Sequence, residues 1–184
     1  FKIGGVTNEQ MYSNFAMDQH TIYRFVKQNG RSPSLTMWLG SSDYAEFTFV
    51  FEAADEVNIA SCSSIPLTTG LIMEDTVQGT VRLVNSGFIG QPTDHLVDIR
   101  GGNYEMLQGS VRMMGQSGIE MTAGSAFTAG VSFRRDGTCI DVLGGDFYGF
   151  GLNRQRTEVD NTWTNQTGGT LILDIPYEDI TKWW

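Results

Sequence analysis

Long apolar runs, basic clusters and cysteines are all scarce in this 184-residue chain. No stretch of about 18 consecutive apolar residues occurs, so the sequence predicts no membrane-spanning helix. Lysine and arginine number 12 against 21 acidic residues, which gives a formal net charge of −9. Such a chain repels polyanions, and its scattered basic residues cannot neutralise many phosphates in a nucleic-acid groove.

Only two cysteines, Cys62 and Cys139, are present. Two thiols make neither a disulfide framework nor a cysteine-rich metal site. The first five residues also lack the charged start and apolar centre that an export signal has. We therefore expect both cysteines to be reduced and buried.

The rest of the composition is that of an ordered protein with a single core. Hydrophobic residues make up 40% of the chain and charged residues 18%, with 22 glycines and 11 phenylalanines. This length suits one domain rather than two.

Alternation of apolar and polar residues dominates the chain and predicts β-strands. Phe47, Phe49 and Phe51 share one face, and Thr48 and Val50 share the other, so Tyr44–Ala53 is predicted to be a half-buried strand. Four further alternating strands are predicted at Val77–Leu83, Leu107–Met113, Phe127–Phe133 and Leu171–Ile175. Shorter strands are predicted at Leu35–Leu39, Val57–Ser61, Leu96–Ile99, Ile119–Ala123 and Thr138–Leu143. About eight to ten short strands in one domain indicate a sandwich or a barrel.

The segment Asn8–Gln28 supports two interpretations. Its apolar residues lie near helical spacing, with Asn8 as a possible N-cap. Thr21–Val26 alternates instead, and Asn29-Gly30 is the dipeptide favoured in a two-residue hairpin turn. We predict that residues 1–34 form an arm or hairpin and that residues 35–184 form one core, without internal repeats of fixed period.

Candidate catalytic and metal-binding residues are few. His20 and His95 are the only histidines, and neither lies near a Gly-x-Ser-x-Gly elbow. Asp94, His95 and Asp98 offer oxygen and nitrogen ligands, but strand alternation places His95 on the face opposite the two aspartates. The sequence therefore predicts no catalytic residue, no metal and no cofactor.

Exposed aromatic side chains are the remaining candidates for a binding surface. Apolar core packing is the competing role for each of them. The candidates for a sugar-binding platform are Tyr148, Phe150, Trp163, Trp183 and Trp184.

Motifs in the second half of the chain, from Asn103 to Trp184, resemble those of viral coat proteins. Tyr104–Gly115 followed by Ser125–Asp136 resembles the paired strands of picorna-like capsid jelly rolls. Trp163-Thr-Asn-Gln-Thr167 is similar to a Trp-x-Asn-Gln-Thr stretch of small comovirus-like coat proteins, and Ile175-Pro176-Tyr177 resembles a segment of many picorna-like capsid proteins.

On these motifs the chain resembles the small jelly-roll coat proteins of picorna-like plant viruses of the comovirus and fabavirus type, Secoviridae. The resemblance implies an all-β, eight-stranded antiparallel jelly-roll sandwich without enzymatic activity. It also implies self-assembly with other coat subunits into an icosahedral shell around RNA, with at most weak RNA contact. The expected locations are the virion and, during assembly, the host cytoplasm. A host receptor or vector is a further possible partner, and a membrane is not expected.

Four aromatic residues near the C-terminus are candidates for the subunit interface. The segment after Ile175 ends in two tryptophans, whose rings either close their own domain or dock on a neighbouring subunit. The interface candidates are Trp163, Tyr177, Trp183 and Trp184. The alternative function is a non-enzymatic β-sandwich module that binds a glycan or a protein partner.

Overall fold

A computed structural model describes residues 2–4, 7–14, 21–40, 47–66, 68–90, 94–113, 117–134, 138–155 and 164–174. The regular elements within these ranges are all β-strands, which confirms the all-β prediction. Among these residues no helix is long and apolar enough to cross a membrane.

The strands form two sheets, and the chain passes repeatedly from one sheet to the other. Sheet A contains, in spatial order, β1 (Lys2–Gly4), β3 (Thr21–Val26), β5 (Phe47–Phe51), β8 (Leu71–Met73), β10 (Val97–Ile99), β12 (Ile119–Met121), β14 (Ile140–Val142) and β17 (Thr164–Gln166). Sheet B contains β18 (Thr170–Asp174), β15 (Asp146–Phe150), β13 (Ser125–Arg134), β11 (Asn103–Met113), β9 (Thr80–Gly90), β6 (Glu56–Ala60), β4 (Ser34–Gly40) and β2 (Thr7–Asn14), with β16 (Asn153–Gln155) beside β13 and β7 (Ser63–Ser64) beside β9. All of these strand pairs are parallel, so the described chain is a parallel β-solenoid.

The predicted antiparallel jelly roll is wrong, because neighbouring strands in both sheets run in the same direction. The same finding overturns the expectation of an icosahedral shell built from jelly rolls. Alternation in a sequence indicates that one face of a strand is buried, and it does so equally for parallel and antiparallel neighbours. The ten predicted strand segments do contain strands, but their pairing could not be derived from alternation alone.

The predicted hairpin at Asn29-Gly30 is correct only at its tip. Asn29 and Gly30 have φ of 52° and 76°, and Gln28 and Arg31 exchange two backbone hydrogen bonds of 3.0 Å. The strands on either side do not pair with each other, since β3 lies in sheet A and β4 lies in sheet B. The turn therefore redirects the chain from one sheet to the next, and the strands before residue 35 pair with later strands in both sheets.

One coil, meaning one passage through both sheets, has a variable length. Asn103 pairs with Ser125, 22 residues later, and Ser125 pairs with Asp146, 21 residues later. Asp146 then pairs with Thr170, 24 residues later. Because the connecting segments differ in length, the repeat has no fixed period that sequence comparison would detect.

The core lies between the sheets and confirms the predicted burial of three phenylalanines. Phe47, Phe49 and Phe51 are all buried on β5. Thr48 and Val50 are buried as well, so the predicted solvent-exposed face of this strand is wrong at these two positions. The Thr48 hydroxyl donates a hydrogen bond of 2.7 Å to the Thr69 carbonyl oxygen.

Both cysteines are buried free thiols, as predicted. Burial raises the pKa of the Cys62 thiol to about 11, although hydrogen bonding with Ser86 partly offsets this. Cys62 is therefore a packing residue in its protonated form at neutral pH.

A column of glycines forms the corner that leads from sheet A to sheet B. Gly102, Gly124, Gly145 and Gly169 each lie three residues after the end of a sheet A strand and have φ of 70°, 82°, 78° and 65°. Only glycine adopts this left-handed conformation at little cost. We call this column the glycine corner.

A second corner bends the strands of sheet B. It contains Ser61, Asn85, Gln108, Gly130 and Gly151, which lie next to one another on successive coils and have φ of 57°, 48°, 57°, 64° and 55°. A residue with positive φ interrupts the extended backbone and so changes which of the following side chains face inward. The phase of the alternation therefore differs before and after the corner.

Candidate functional site

The four predicted interface residues lie outside the described residues. Trp163, Tyr177, Trp183 and Trp184 all fall in undescribed segments, and the same is true of His20. Their roles stay predictions. The two remaining platform candidates, Tyr148 and Phe150, are described.

Three aromatic side chains lie together on the outer face of sheet B. The register pairs Phe127 with Tyr148, and Phe150 lies two residues after Tyr148 on the same face of β15. The ring centroids of Phe127 and Phe150 are 5.6 Å apart, with planes tilted by 35°. Phe127 is 37% exposed and Phe150 is 39% exposed. We call these three residues the aromatic platform.

The sequence placed Phe127 on the wrong side of its strand. The uniform alternation predicted from the sequence put Phe127 on the same strand face as Val131 and Phe133. Those two residues are buried. Gly130 lies between them at the second corner with φ of 64°, and the alternation restarts after it. Phe127 consequently points outward while Val131 and Phe133 point inward.

Polar groups lie beside the platform on the same outer face, together with Ile172, an apolar residue that pairs with Tyr148 and is 48% exposed. Asp146 lies two residues before Tyr148, and the register places Asp174 beside Phe150. Ser125 pairs with Asp146 and donates a hydrogen bond of 2.7 Å to Asn103 Oδ1. The platform is therefore apolar at its centre and rich in hydrogen-bonding groups at its edge.

A second cluster surrounds His95, just before strand β10 of sheet A. His95 Nε2 is 2.9 Å from Asp94 Oδ1 and 3.1 Å from Glu120 Oε2. His95 Nδ1 contacts Ser117 Oγ. The prediction that His95 faces away from Asp94 is wrong, because both residues precede β10 and strand alternation does not apply to them.

Acidic residues form a column across sheet A beside this cluster. Asp98 pairs with Glu120, and Glu120 pairs with Asp141, so three acids occupy successive strands. Like charges at directly paired positions destabilise a sheet. Arg100 contacts Asp98 Oδ2 through Nε at 2.9 Å and Nη2 at 2.5 Å, and Asn165 donates a hydrogen bond of 2.9 Å to Asp141.

Glu120 lies at the centre of this column, and its ionisation is disfavoured. Burial raises the pKa of Glu120 above its usual value. His95 lowers this pKa, whereas the carboxylates of Asp98, Asp141 and Asp94 raise it further. The net direction is upward, so the folded protein holds this proton to higher pH than the unfolded chain does.

Replacing Glu120 with Gln should raise the melting temperature at pH 7 and leave it nearly unchanged near pH 4. Because the folded-state pKa of Glu120 is raised, its ionisation costs stability as pH rises above the unfolded value, and this cost is absent below it. Glutamine keeps an oxygen that accepts a hydrogen bond from His95 but carries no charge. Thermal unfolding followed by circular dichroism at both pH values measures the difference.

Asp75→Asn, at an exposed turn, is the control for loss of one acidic residue. A Glu120→Gln variant that is equally or less stable than the wild type at pH 7 would contradict the prediction.

Among the described residues, no group of three or more His, Cys, Asp or Glu side chains is arranged to hold a metal ion. Comparisons of the chain with protein-family models, curated proteins and solved structures find no match. Function is therefore inferred from the geometry of the two clusters.

Sequence reasoning did not bring Ser117 and His95 together. The two residues are 22 positions apart, which is one coil. His95 lies two residues before β10 and Ser117 lies two residues before β12, and these two strands pair with each other in sheet A. A search for polar residues separated by roughly one coil would have found this pair and the acidic column, provided that the coil length was known.

Proposed function

We propose that the chain is a binding module that holds neutral glycans on the aromatic platform. The observation that carries the proposal is that Phe127 and Phe150 are adjacent and exposed on the outer face of sheet B. Single exposed apolar residues are common on protein surfaces, whereas adjacent exposed rings are a recognised feature of binding sites.

The chemistry of the platform suits a sugar. A sugar ring presents apolar C–H groups on its faces and hydroxyl groups around its rim. The rings of Phe127 and Phe150 provide apolar surface for the faces, and the Tyr148 hydroxyl is a donor and acceptor for the rim. Asp146 and Asp174 add carboxylate acceptors at the edge of the same surface.

Charge favours a neutral glycan over an anionic one. The chain carries a formal net charge of −9, and the nearest basic side chain on the same face, Arg82, is bound by Glu105 at 2.5 Å. An anionic polymer at the platform would meet the carboxylates of Asp146 and Asp174, which repel it. The resemblance to coat proteins stays a separate, untested prediction and does not support this proposal.

Replacing both Phe127 and Phe150 with Ala should weaken binding to a neutral polysaccharide at least tenfold, or about 1.4 kcal/mol. Removal of both rings leaves the polar edge without the apolar surface on which the sugar stacks. Affinity electrophoresis in gels containing neutral glucans, xylans or mannans identifies the polysaccharide that retards the wild type and measures the loss.

Leu143→Ala is the matched control, since Leu143 is another large exposed apolar side chain, 42% exposed, but lies between β14 and β15 and not on a strand of sheet B. Wild-type protein that no neutral polysaccharide retards would contradict the proposal. Retardation that survives the double substitution would place the binding site elsewhere.

A further inference from the structure

A hydrogen-bonded chain of side chains runs through His95. Ser117 Oγ contacts His95 Nδ1, and His95 Nε2 lies 2.9 Å from Asp94 Oδ1 and 3.1 Å from Glu120 Oε2. A hydroxyl, an imidazole and a carboxylate joined in this order are the arrangement that activates a serine nucleophile. Such arrays are identified by geometry and roles and not by sequence position.

The contacts of His95 determine which ring nitrogen carries the proton in the neutral imidazole. A carboxylate accepts hydrogen bonds and cannot donate them, so Nε2 carries the hydrogen that faces Asp94 and Glu120. Nδ1 is then left with a lone pair and accepts the hydrogen bond from the Ser117 hydroxyl. His95 is therefore oriented to take a proton from Ser117.

The fold keeps this arrangement in place. Val97 pairs with Ile119 in sheet A. His95 lies two residues before Val97, and Ser117 lies two residues before Ile119. Glu120 lies on β12, the same strand that Ser117 precedes. The nucleophile, the base and the orienting carboxylates thus come from two adjacent coils, from β12 and from the residues that precede β10 and β12, whose pairing holds the coils in register.

We infer that Ser117 and His95 form an esterase site that removes small acyl groups. The inference does not depend on glycan binding, since the platform lies on sheet B and this cluster lies beside β10 and β12 of sheet A. It opposes the sequence-based expectation that the protein is not an enzyme.

The reaction follows from the two side chains. Ser117 Oγ bonds to the carbonyl carbon of the ester while its proton passes to His95 Nδ1. The bond between that carbon and the alcohol oxygen breaks, and the departing alkoxide takes the proton from His95. Water then attacks the acyl-serine, with His95 accepting its proton and returning it to Ser117. The products are the carboxylic acid and the alcohol.

Burial limits the substrate to a small acyl group such as acetyl. Ser117 is 3% exposed, and the His95 side chain is 14% exposed. A long acyl chain or a peptide would need much more open space around the nucleophile.

Methanesulfonyl fluoride tests the inference, because it is about as small as an acetyl group, forms a sulfur–oxygen bond to an activated serine and releases fluoride. We expect one adduct per folded chain, and peptide mass spectrometry should locate it on Ser117. His95→Gln should lower the rate of adduct formation roughly 100-fold or more, since glutamine forms hydrogen bonds but cannot take the proton.

Ser86→Ala is the matched control, because Ser86 is 3% exposed, like Ser117, and its hydroxyl donates a hydrogen bond to the Val84 carbonyl oxygen and not to a base. It should form the adduct at the wild-type rate, and the same protein should release a burst of p-nitrophenolate from p-nitrophenyl acetate. Folded wild-type protein that forms no adduct overturns the inference. So does an adduct on another residue, or an unchanged rate in His95→Gln.

Discussion

Gly124→Ala should destabilise the protein by about 3 kcal/mol or more, which is a large fraction of the stability of a typical domain. Gly124 lies in the glycine corner with φ of 82°, and a Cβ atom there would be 2.4 Å from the Gly102 carbonyl oxygen. The contact is with the backbone of the preceding coil, so no side-chain rotation relieves it. The substitution must either open the corner or shift a strand.

Gly151→Ala separates this steric effect from conformational strain. Gly151 also has a positive φ, of 55°, but no atom lies within 4 Å of the Cβ position. We expect it to cost only the intrinsic strain of about 1–2 kcal/mol. Urea unfolding of both variants measures the difference, and equal costs would show that the coils are not stacked as closely at the glycine corner as the structure has them.

Phe49→Ala should cost about 3–5 kcal/mol, the usual range for removing a fully buried phenylalanine. The Phe49 ring lies in a group of aromatic rings, with its centroid 5.0 Å from that of Phe47 and 5.7 Å from that of Tyr23. The substitution leaves a cavity between close-packed rings that have little room to move. Urea unfolding with a linear extrapolation gives the free energy of unfolding.

Phe127→Ala is the matched control for this substitution, because it removes the same side chain from an exposed position on sheet B. Its cost should be below about 1 kcal/mol. Similar costs at Phe49 and Phe127 would contradict the assignment of one to the core and the other to the platform.

Two local features could be predicted from the sequence because they depend only on residues close together in the chain. Strand alternation identified the burial of Phe47, Phe49 and Phe51, and the Asn29-Gly30 dipeptide identified a tight turn. Both signals arise within a few residues and need no knowledge of the neighbouring strands.

Strand direction and the candidate sites could not be predicted in this way. The parallel pairing depends on contacts between residues 21 to 27 positions apart, and the varying length of the coils hides the repeat. Phe127 was misplaced because Gly130 changes the phase of the alternation within one continuous strand. The same coil length separates Ser117 from His95, so no local motif contains both.

The parallel stacking of coils is the central claim, and one column of sheet B allows a direct measurement. Asn103, Ser125, Asp146 and Thr170 are paired in register on four successive strands. Neighbouring backbones in such a column lie about 4.8 Å apart, and positions two coils apart lie at about twice that distance.

The measurement is electron paramagnetic resonance on pairs of nitroxide labels placed at these positions, in a background where Cys62 and Cys139 are replaced by Ala. The account predicts strong spin–spin broadening for 103 with 125, 125 with 146 and 146 with 170, and weaker broadening for 103 with 146. In an antiparallel sandwich, the residues of these three neighbouring pairs would not all be in contact. Loss of strong broadening in any one of the three neighbouring pairs, in a folded protein, would contradict the parallel solenoid.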